Sequence, residues 1–441
     1  MGQAQVIELY PDIAEAPRYS CALGGAYVTA LAVNHTAPIL HSGAGCGLGQ
    51  QFGQNYAGGM NAAGRHGNTS TPCSCLVEEN VVFGGEEKLR DLIASTLKVV
   101  KADLFVVISG CVPALIGDDI AAVVKEFRSQ TTIVHVNTAG FLGNSYLGYD
   151  HFFTAVVEQL LTPLPITKNL VNILGIVPSQ HIQWKGHLRV LKALLAKVGV
   201  QANIIFSERD GLAALKQLPA AELNLVFSPW VGITVAEALQ EKFATPFEVI
   251  PFVPVGPQDT TSFLRQIGHL LQIPQETIDA VVAHEEWAAY NTAEYFGDLL
   301  VIGLPNAYFG VIADSGTAIG LTRYGTNELG LLPEVVIVSD NPPEESRATI
   351  TRLLTEGLAS SITPKIIFET DSHKIKLILR KHTLQLLLGS SLEKHLPKGD
   401  AGFLSVSFPT YDRLILDRSY AGYRGGLDFM EDIGSLFAGP L

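Results

Sequence analysis

The chain has 441 residues, 47% of them hydrophobic and 17% charged, with a formal net charge of -13. This length exceeds one ordinary core and predicts about two to four domains, and the composition excludes a disordered chain. The acidic balance argues against nucleic acid and anionic membrane surfaces as partners.

In chain order, the first segment has neither a basic n-region nor an apolar h-region, and Val6 stands where myristoylation needs Ser or Thr. No uncharged apolar run reaches the ~18 residues of a membrane span. The expectation is therefore a cytoplasmic protein with no membrane partner. Cys21 follows in SCALGG (20–25), which reads as a glycine-flanked turn. Ala37-Pro38-Ile39-Leu40 reads as the end of a strand and runs into HSGAGCGLG (41–49), which places Cys46 in an open glycine turn.

Leu89, Leu92, Ile93 and Leu97 recur at helical spacing over Glu86 to Val100. Leu104 to Ile108 is a continuous apolar run, expected as a buried parallel strand, and it ends in Ser109-Gly110-Cys111. In Gly117-Asp118-Asp119-Ile120 an aspartate is expected to cap the next helix, a simpler account than a paired acid and base. The Pro-rich TPLPITK (162–168) reads as a linker. Strands are then expected near 171–177, 203–206 and 223–227, and in a third round near 299–302, 335–338, 366–368 and 384–388. This alternation predicts an α/β protein of three doubly wound domains with parallel sheets, divided as 1–165, 166–296 and 297–441.

All five cysteines, Cys21, Cys46, Cys73, Cys75 and Cys111, lie in the first quarter of the chain. An odd number in a long chain argues for metal ligation or redox chemistry rather than structural disulfides. In parallel sheets, sites form in loops at the carboxyl ends of strands. Cys46 and Cys111 are expected in such loops, beside glycines that admit bulk and free amide donors for an anionic, sulfide-rich cluster. Against this, a single cysteine is more often a small core residue, and the positions 21, 46 and 111 fit no compact ferredoxin or zinc pattern. Cys73 and Cys75 form a C-x-C that could bind a metal or add a cluster ligand, although a loop carrying two small thiols is the simpler account. His41 and His66 are read as structural histidines.

The series Cys21, HSGAGC ending at Cys46, EENVVFGGEEKL (78–89) and SGCVPALIGDDI (109–120) resembles the component 1 family of nitrogenases and nitrogenase-like reductases. The resemblance continues through VNTAGFLGNSYLGYDHFF (136–153), PFVPVGPQDTTSFL (251–264) and LGSSLEKHL (388–396). It ends in SFPTYDRLILDRSYAGYRGGLDFMEDI (407–433), which looks like the C-terminus of a β-type subunit. It implies three Rossmann-like domains, the first carrying the cluster cysteines and the last ending in a subunit-contact segment. It also implies an α2β2 heterotetramer with an α-type subunit and a P-cluster-type 8Fe-7S cluster shared between the two subunits. Cys21, Cys46 and Cys111 match the β-side ligands. An ATP-dependent iron–sulfur reductase would dock transiently near Phe83, for which a strand-end core aromatic is the competing account.

The catalytic metallocofactor of the family is bound by the α-type subunit, and this chain reads Ser228-Pro229-Trp230 at the matching place. The implied role is an electron-relay subunit that does not itself bind substrate. Gly140 stands where conventional β subunits carry a serine ligand, and no stretch before Cys21 matches their N-terminal extension. These departures favour an alternative nitrogenase or a nitrogenase-like reductase such as methylthio-alkane reductase. The rival expectations are a cofactor-assembly scaffold subunit, a tetrapyrrole reductase subunit with a 4Fe-4S cluster, and a structural partner whose cysteines bind nothing.

Overall fold

A computed structural model of the chain describes residues 16–46, 71–207, 209–297, 306–397, 399 and 401–437. Three parallel sheets organise it. In the first, β1 (Thr36–His41), β2 (Leu104–Ser109) and β3 (Ile133–Asn137) lie side by side. Every residue of β2 is buried because both faces are covered. Leu104, Val106 and Ile108 pack toward α1 (Ala22–Ala32) and α6 (Ser145–Gln159). Phe105 and Val107 pack toward α3 (Glu86–Val99) and α5 (Ile120–Phe127). A parallel strand covered on both sides needs such a continuous apolar run, as the sequence predicts. The short helices α2 (Glu78–Phe83) and α4 (Cys111–Ile116) stand at the edge of this layer.

The second sheet has the order β5-β4-β6-β7, with β4 at Thr167–Leu174, β5 at Gln201–Asn203, β6 at Ala221–Val226 and β7 at Phe247–Val249. A buried ladder in which Asn203 donates to Asn172 (2.9 Å) and Asn172 to Asn224 (2.7 Å) ties its first three strands together. The helices here are α7 (Trp184–Lys197), α8 (Gly211–Lys216), α9 (Ile233–Phe243), α10 (Gly256–Leu270) and α11 (Gln275–Ala293).

The third sheet has the order β10-β9-β8-β11-β12. Its strands are β8 (Tyr308–Ala313), β9 (Leu332–Val338), β10 (Lys365–Phe368), β11 (Leu386–Gly389) and β12 (Gly402–Ser405). With α12 (Ser315–Asn327), α13 (Glu344–Thr355), α14 (Ser372–Leu379) and α15 (Gly422–Phe437), it completes a doubly wound, Rossmann-like arrangement. α15 crosses back to pack on α10 and α11 of the middle unit.

Local readings of the sequence hold unevenly. The strand expected at 299–302 lies outside the described residues, and the third unit's first described strand is β8. SCALGG is not a turn: Cys21 is the N-cap of α1, and Gly24 and Gly25 lie inside the helix. The role of Gly25 is close packing. A Cβ on Gly25 would stand 1.7 Å from the Ser145 carbonyl oxygen, and one on Gly148 would stand 2.2 Å from that of Ala22. The backbones of α1 and α6 therefore touch, which fixes where Cys21 emerges. The segment ahead of α1 is anchored by Arg18, which donates to Glu393 at 2.6 Å with both side chains fully buried. Ser390 also donates to that carboxylate, so the charge is well satisfied.

Overpacking a close helix crossing costs roughly 1–3 kcal/mol. Gly148→Ala is expected to lower the thermal midpoint and to displace Cys21. An unchanged midpoint in thermal unfolding followed by circular dichroism would mean the helices do not touch as described.

Candidate metal centre

The segment 71–76 runs parallel to β1 on the side away from β2. Leu40 donates to the Pro72 carbonyl (2.8 Å), Ser74 to that of Leu40 (2.9 Å) and Leu76 to that of Ser42 (3.0 Å). With this segment counted, the first sheet has the doubly wound order: the chain passes from β1 outward to 71–76 and then returns to the other side of β1 for β2 and β3, so the strand order reverses between β1 and β2. That reversal opens a crevice beyond the carboxyl ends of the strands. Cys46 follows β1 and Cys111 follows β2, so the crevice has a cysteine on each side.

Gly140, in the loop after β3, closes the third side. A Cβ there would stand 3.1 Å from the Cys111 sulfur and 3.4 Å from that of Cys21, so the two sulfurs flank one atom position. The space is set by those sulfurs, and any side chain would press on them. The Gly140 N–H donates to the Cys111 sulfur at 3.0 Å. Cys21 stands at the N-cap position of α1, so its sulfur emerges at the start of that helix. Burial pushes the Cys46 thiol up; the sulfurs of Cys21, Cys111 and Cys73 push it further, against a hydrogen bond with Ser42.

The structure thus brings Cys21, Cys46 and Cys111 to one crevice, each half-buried. It adds Cys73, which the sequence reading set aside, and leaves Cys75 exposed. Among the described residues, no three Cys, His, Asp or Glu side chains converge as ligands of a single ion would. Thiols spread around a crevice, with amide donors at sulfur and a glycine where a side chain would intrude, suit a polynuclear iron–sulfur cluster better than a lone cation.

The rim is braced by His41. Its ring bonds to Ser74 Oγ (3.1 Å) and to Asp118 Oδ2 (3.0 Å), while the Gly85 N–H donates to Asp118 Oδ1 (2.9 Å). Burial lowers the imidazole pKa, with Asp118 opposing, so the ring is neutral near neutral pH. His41 is structural, as expected; His66 lies outside the described residues. Asp119 is the helix cap, accepting from the Ala122 N–H, while Asp118 instead pins the rim. Phe83 is no core aromatic: it ends α2 and is 83% exposed. Val82 before it (72% exposed), Leu115 on α4 (74%) and Phe141, which follows Gly140 in the chain (62%), are likewise exposed.

Ser228 and Trp230 lie after β6, at the junction of the three units. The Ser228 hydroxyl accepts from Val231 N (3.0 Å), and Trp230 Nε1 donates to Asp340 Oδ2 (2.9 Å). Trp230 and His181 pack on Tyr146, with centroids 5.8 and 6.0 Å away, and Tyr19 meets the same ring edge-on at 5.0 Å. Side chains of the three units interlock here.

The chain matches the family described as "Nitrogenase component 1 type Oxidoreductase" over residues 21–437. It is 24% identical to the nitrogenase molybdenum-iron protein beta chain of Methanococcus maripaludis, over 98% of this chain and 96% of that one. It is also 24% identical to the nitrogenase vanadium-iron protein beta chain of Trichormus variabilis, over 93% of this chain and 90% of that one. The nitrogenase iron-molybdenum cofactor biosynthesis protein NifE of Clostridium pasteurianum is 23% identical, over 96% and 88%. The solved structure of nitrogenase Cp1 at pH 6.5 superposes with a TM-score of 0.79 over 98% of this chain and 95% of that one, at 18% identity, which bears on the fold alone. The chain therefore belongs to the nitrogenase component 1 type oxidoreductases, as a β-type subunit.

Proposed function

We propose that this chain is the electron-relay subunit of a nitrogenase-like two-component reductase, with Cys21, Cys46 and Cys111 as its ligands to an 8Fe-7S cluster shared with an α-type subunit. The observation that carries the reading is the gathering of these thiols at the carboxyl edge of the first sheet, beside an exposed apolar rim. Half-buried thiols on such a surface are completed by a second chain, which supports an α-type partner in an α2β2 assembly. The organisation we assign to the chain is 1–165, 166–296 and 297–441.

When bound, the cluster would supply reversible electron storage. This chain's residues hold it. With the cluster bound, Cys21, Cys46 and Cys111 would hold it as thiolates, their protons released to solvent; the Gly140 amide would steady charge on Cys111, and the neutral His41 fixes the loops beside Cys46. Burial of these sulfurs in an interface excludes water and oxygen and tunes the potential. Phe83 offers an apolar contact for the ATP-dependent iron–sulfur reductase. The packed junction around Trp230 and Asp340 supports placing the substrate-reducing metallocofactor on the partner. Gly140, which offers no oxygen ligand, favours an alternative nitrogenase or a methylthio-alkane-type reductase over a molybdenum enzyme. A second reading, a cofactor-assembly scaffold, is favoured by the similarity to the NifE protein. Turnover with the reductase separates the two.

The test is anaerobic co-purification with the α-type subunit, followed by iron analysis. Cys46→Ala is expected to abolish the cluster and weaken α/β association, whereas a variant with full iron content that stays tetrameric would contradict the assignment. A second expectation concerns the metal-free chain. Burial and neighbouring sulfur raise the Cys46 thiol, so it is protonated near neutral pH. Its alkylation by iodoacetamide should be slower than that of a free cysteine and climb about tenfold per pH unit above neutrality. A rate already level at pH 7 would mean that the thiol is instead depressed.

A further inference from the structure

Cys73 sits on the same edge as the three matched cysteines. It lies in the segment pairing with β1, where it forms a parallel bridge with Leu40. Its sulfur lies 3.6 Å from the Ser42 carbonyl oxygen, 3.8 Å from the Ser42 hydroxyl and 3.9 Å from the Gly43 carbonyl oxygen. It therefore rests against the loop that carries Cys46, whose own N–H donates to Gly43 at 3.2 Å. The Cys75 N–H donates to the Cys73 sulfur at 3.4 Å, the same kind of N–H···S bond that Gly140 makes to Cys111 at 3.0 Å. Cys73 is half-buried at the crevice mouth, whereas Cys75 is exposed with its carbonyl held by Lys88 at 2.9 Å.

We propose that Cys73 is a fourth thiolate ligand from this chain to the iron–sulfur centre, alongside Cys21, Cys46 and Cys111. This rests on the cluster reading above. Ligation requires only that the Cys73 thiol release its proton to solvent and its sulfur place a lone pair on iron, with no net electron transfer. The surroundings suit it: Cys73 and Cys46 rest on the same Ser42–Gly43 loop, and thiolates gathered in one crevice are stable only around cations. A fourth thiolate adds one negative charge to the centre, which lowers its reduction potential and favours the oxidised state.

The test uses the anaerobic complex with the α-type subunit. Iodoacetamide labelling is read by peptide mass spectrometry before and after iron chelation. The expected pattern is modification of Cys75 in both samples, with Cys21, Cys46, Cys73 and Cys111 all protected until iron is removed. Modification of Cys73 as readily as Cys75 in the iron-loaded complex, with the other three protected, overturns the proposal and leaves the relay reading standing. Modification of all four in the iron-loaded complex overturns both. Protection by simple burial is separated by Cys73→Ala, which is expected to keep iron and tetramer while shifting the EPR signal and raising the midpoint potential. An unchanged signal and potential overturn the assignment.

Discussion

The parallel register of the first sheet sets Leu40 opposite Ile108 and Ile108 opposite Val136, so the residues after β1, β2 and β3 emerge at one edge. Cys46, Cys111 and Gly140 are those residues, and the Leu40–Cys73 bridge extends the register to a fourth position. Convergence of sulfur here follows from strand direction alone: antiparallel neighbours would send alternate loops to opposite edges. The remaining thiol, Cys21, is delivered by a helix instead, and the contact of α1 with α6 through Gly25 and Gly148 sets its height. The site depends on a rigid layer whose both faces are buried.

The same geometry is repeated in the other two sheets, with a different outcome. The loops after β4 and β6 carry His181, Ser228 and Trp230, and those after β8 and β9 carry Asp314, Ser315 and Asp340. These close on each other: Trp230 and Ser315 both donate to Asp340, while His181 faces Asp314 at 3.4 Å. Burial and the nearby Asp314 raise the Asp340 carboxyl to about 6, and the donated hydrogen bonds hold it down. One crevice of the fold is thus left rimmed with half-buried sulfur, and the others are filled by interlocked side chains. That division fits the electron-relay role proposed for this chain.

The sequence reveals those features whose cause is local. The run Leu104–Ile108 announces a covered parallel strand, and Asp119 caps its helix because capping involves only neighbouring residues. Where the cause is tertiary, local reading goes astray. Gly24 and Gly25 suggest a turn, yet the second helix that makes a glycine necessary arrives more than 100 residues later. Cys73 looks like a loop thiol because its pairing with β1 spans a long intervening segment. Phe83 could be core or surface until α2 is placed, and Asp118 takes its meaning from His41. The cysteines matched by family resemblance come to one edge of the first sheet, although their spacing fits no short motif.

The most direct measurement of the central claim is iron anomalous diffraction from crystals of the anaerobic complex with the α-type subunit. The account predicts a polynuclear iron peak in the α/β interface, within bonding distance of the sulfurs of Cys21, Cys46 and Cys111. Iron located elsewhere, with these three thiols facing protein alone, would contradict it.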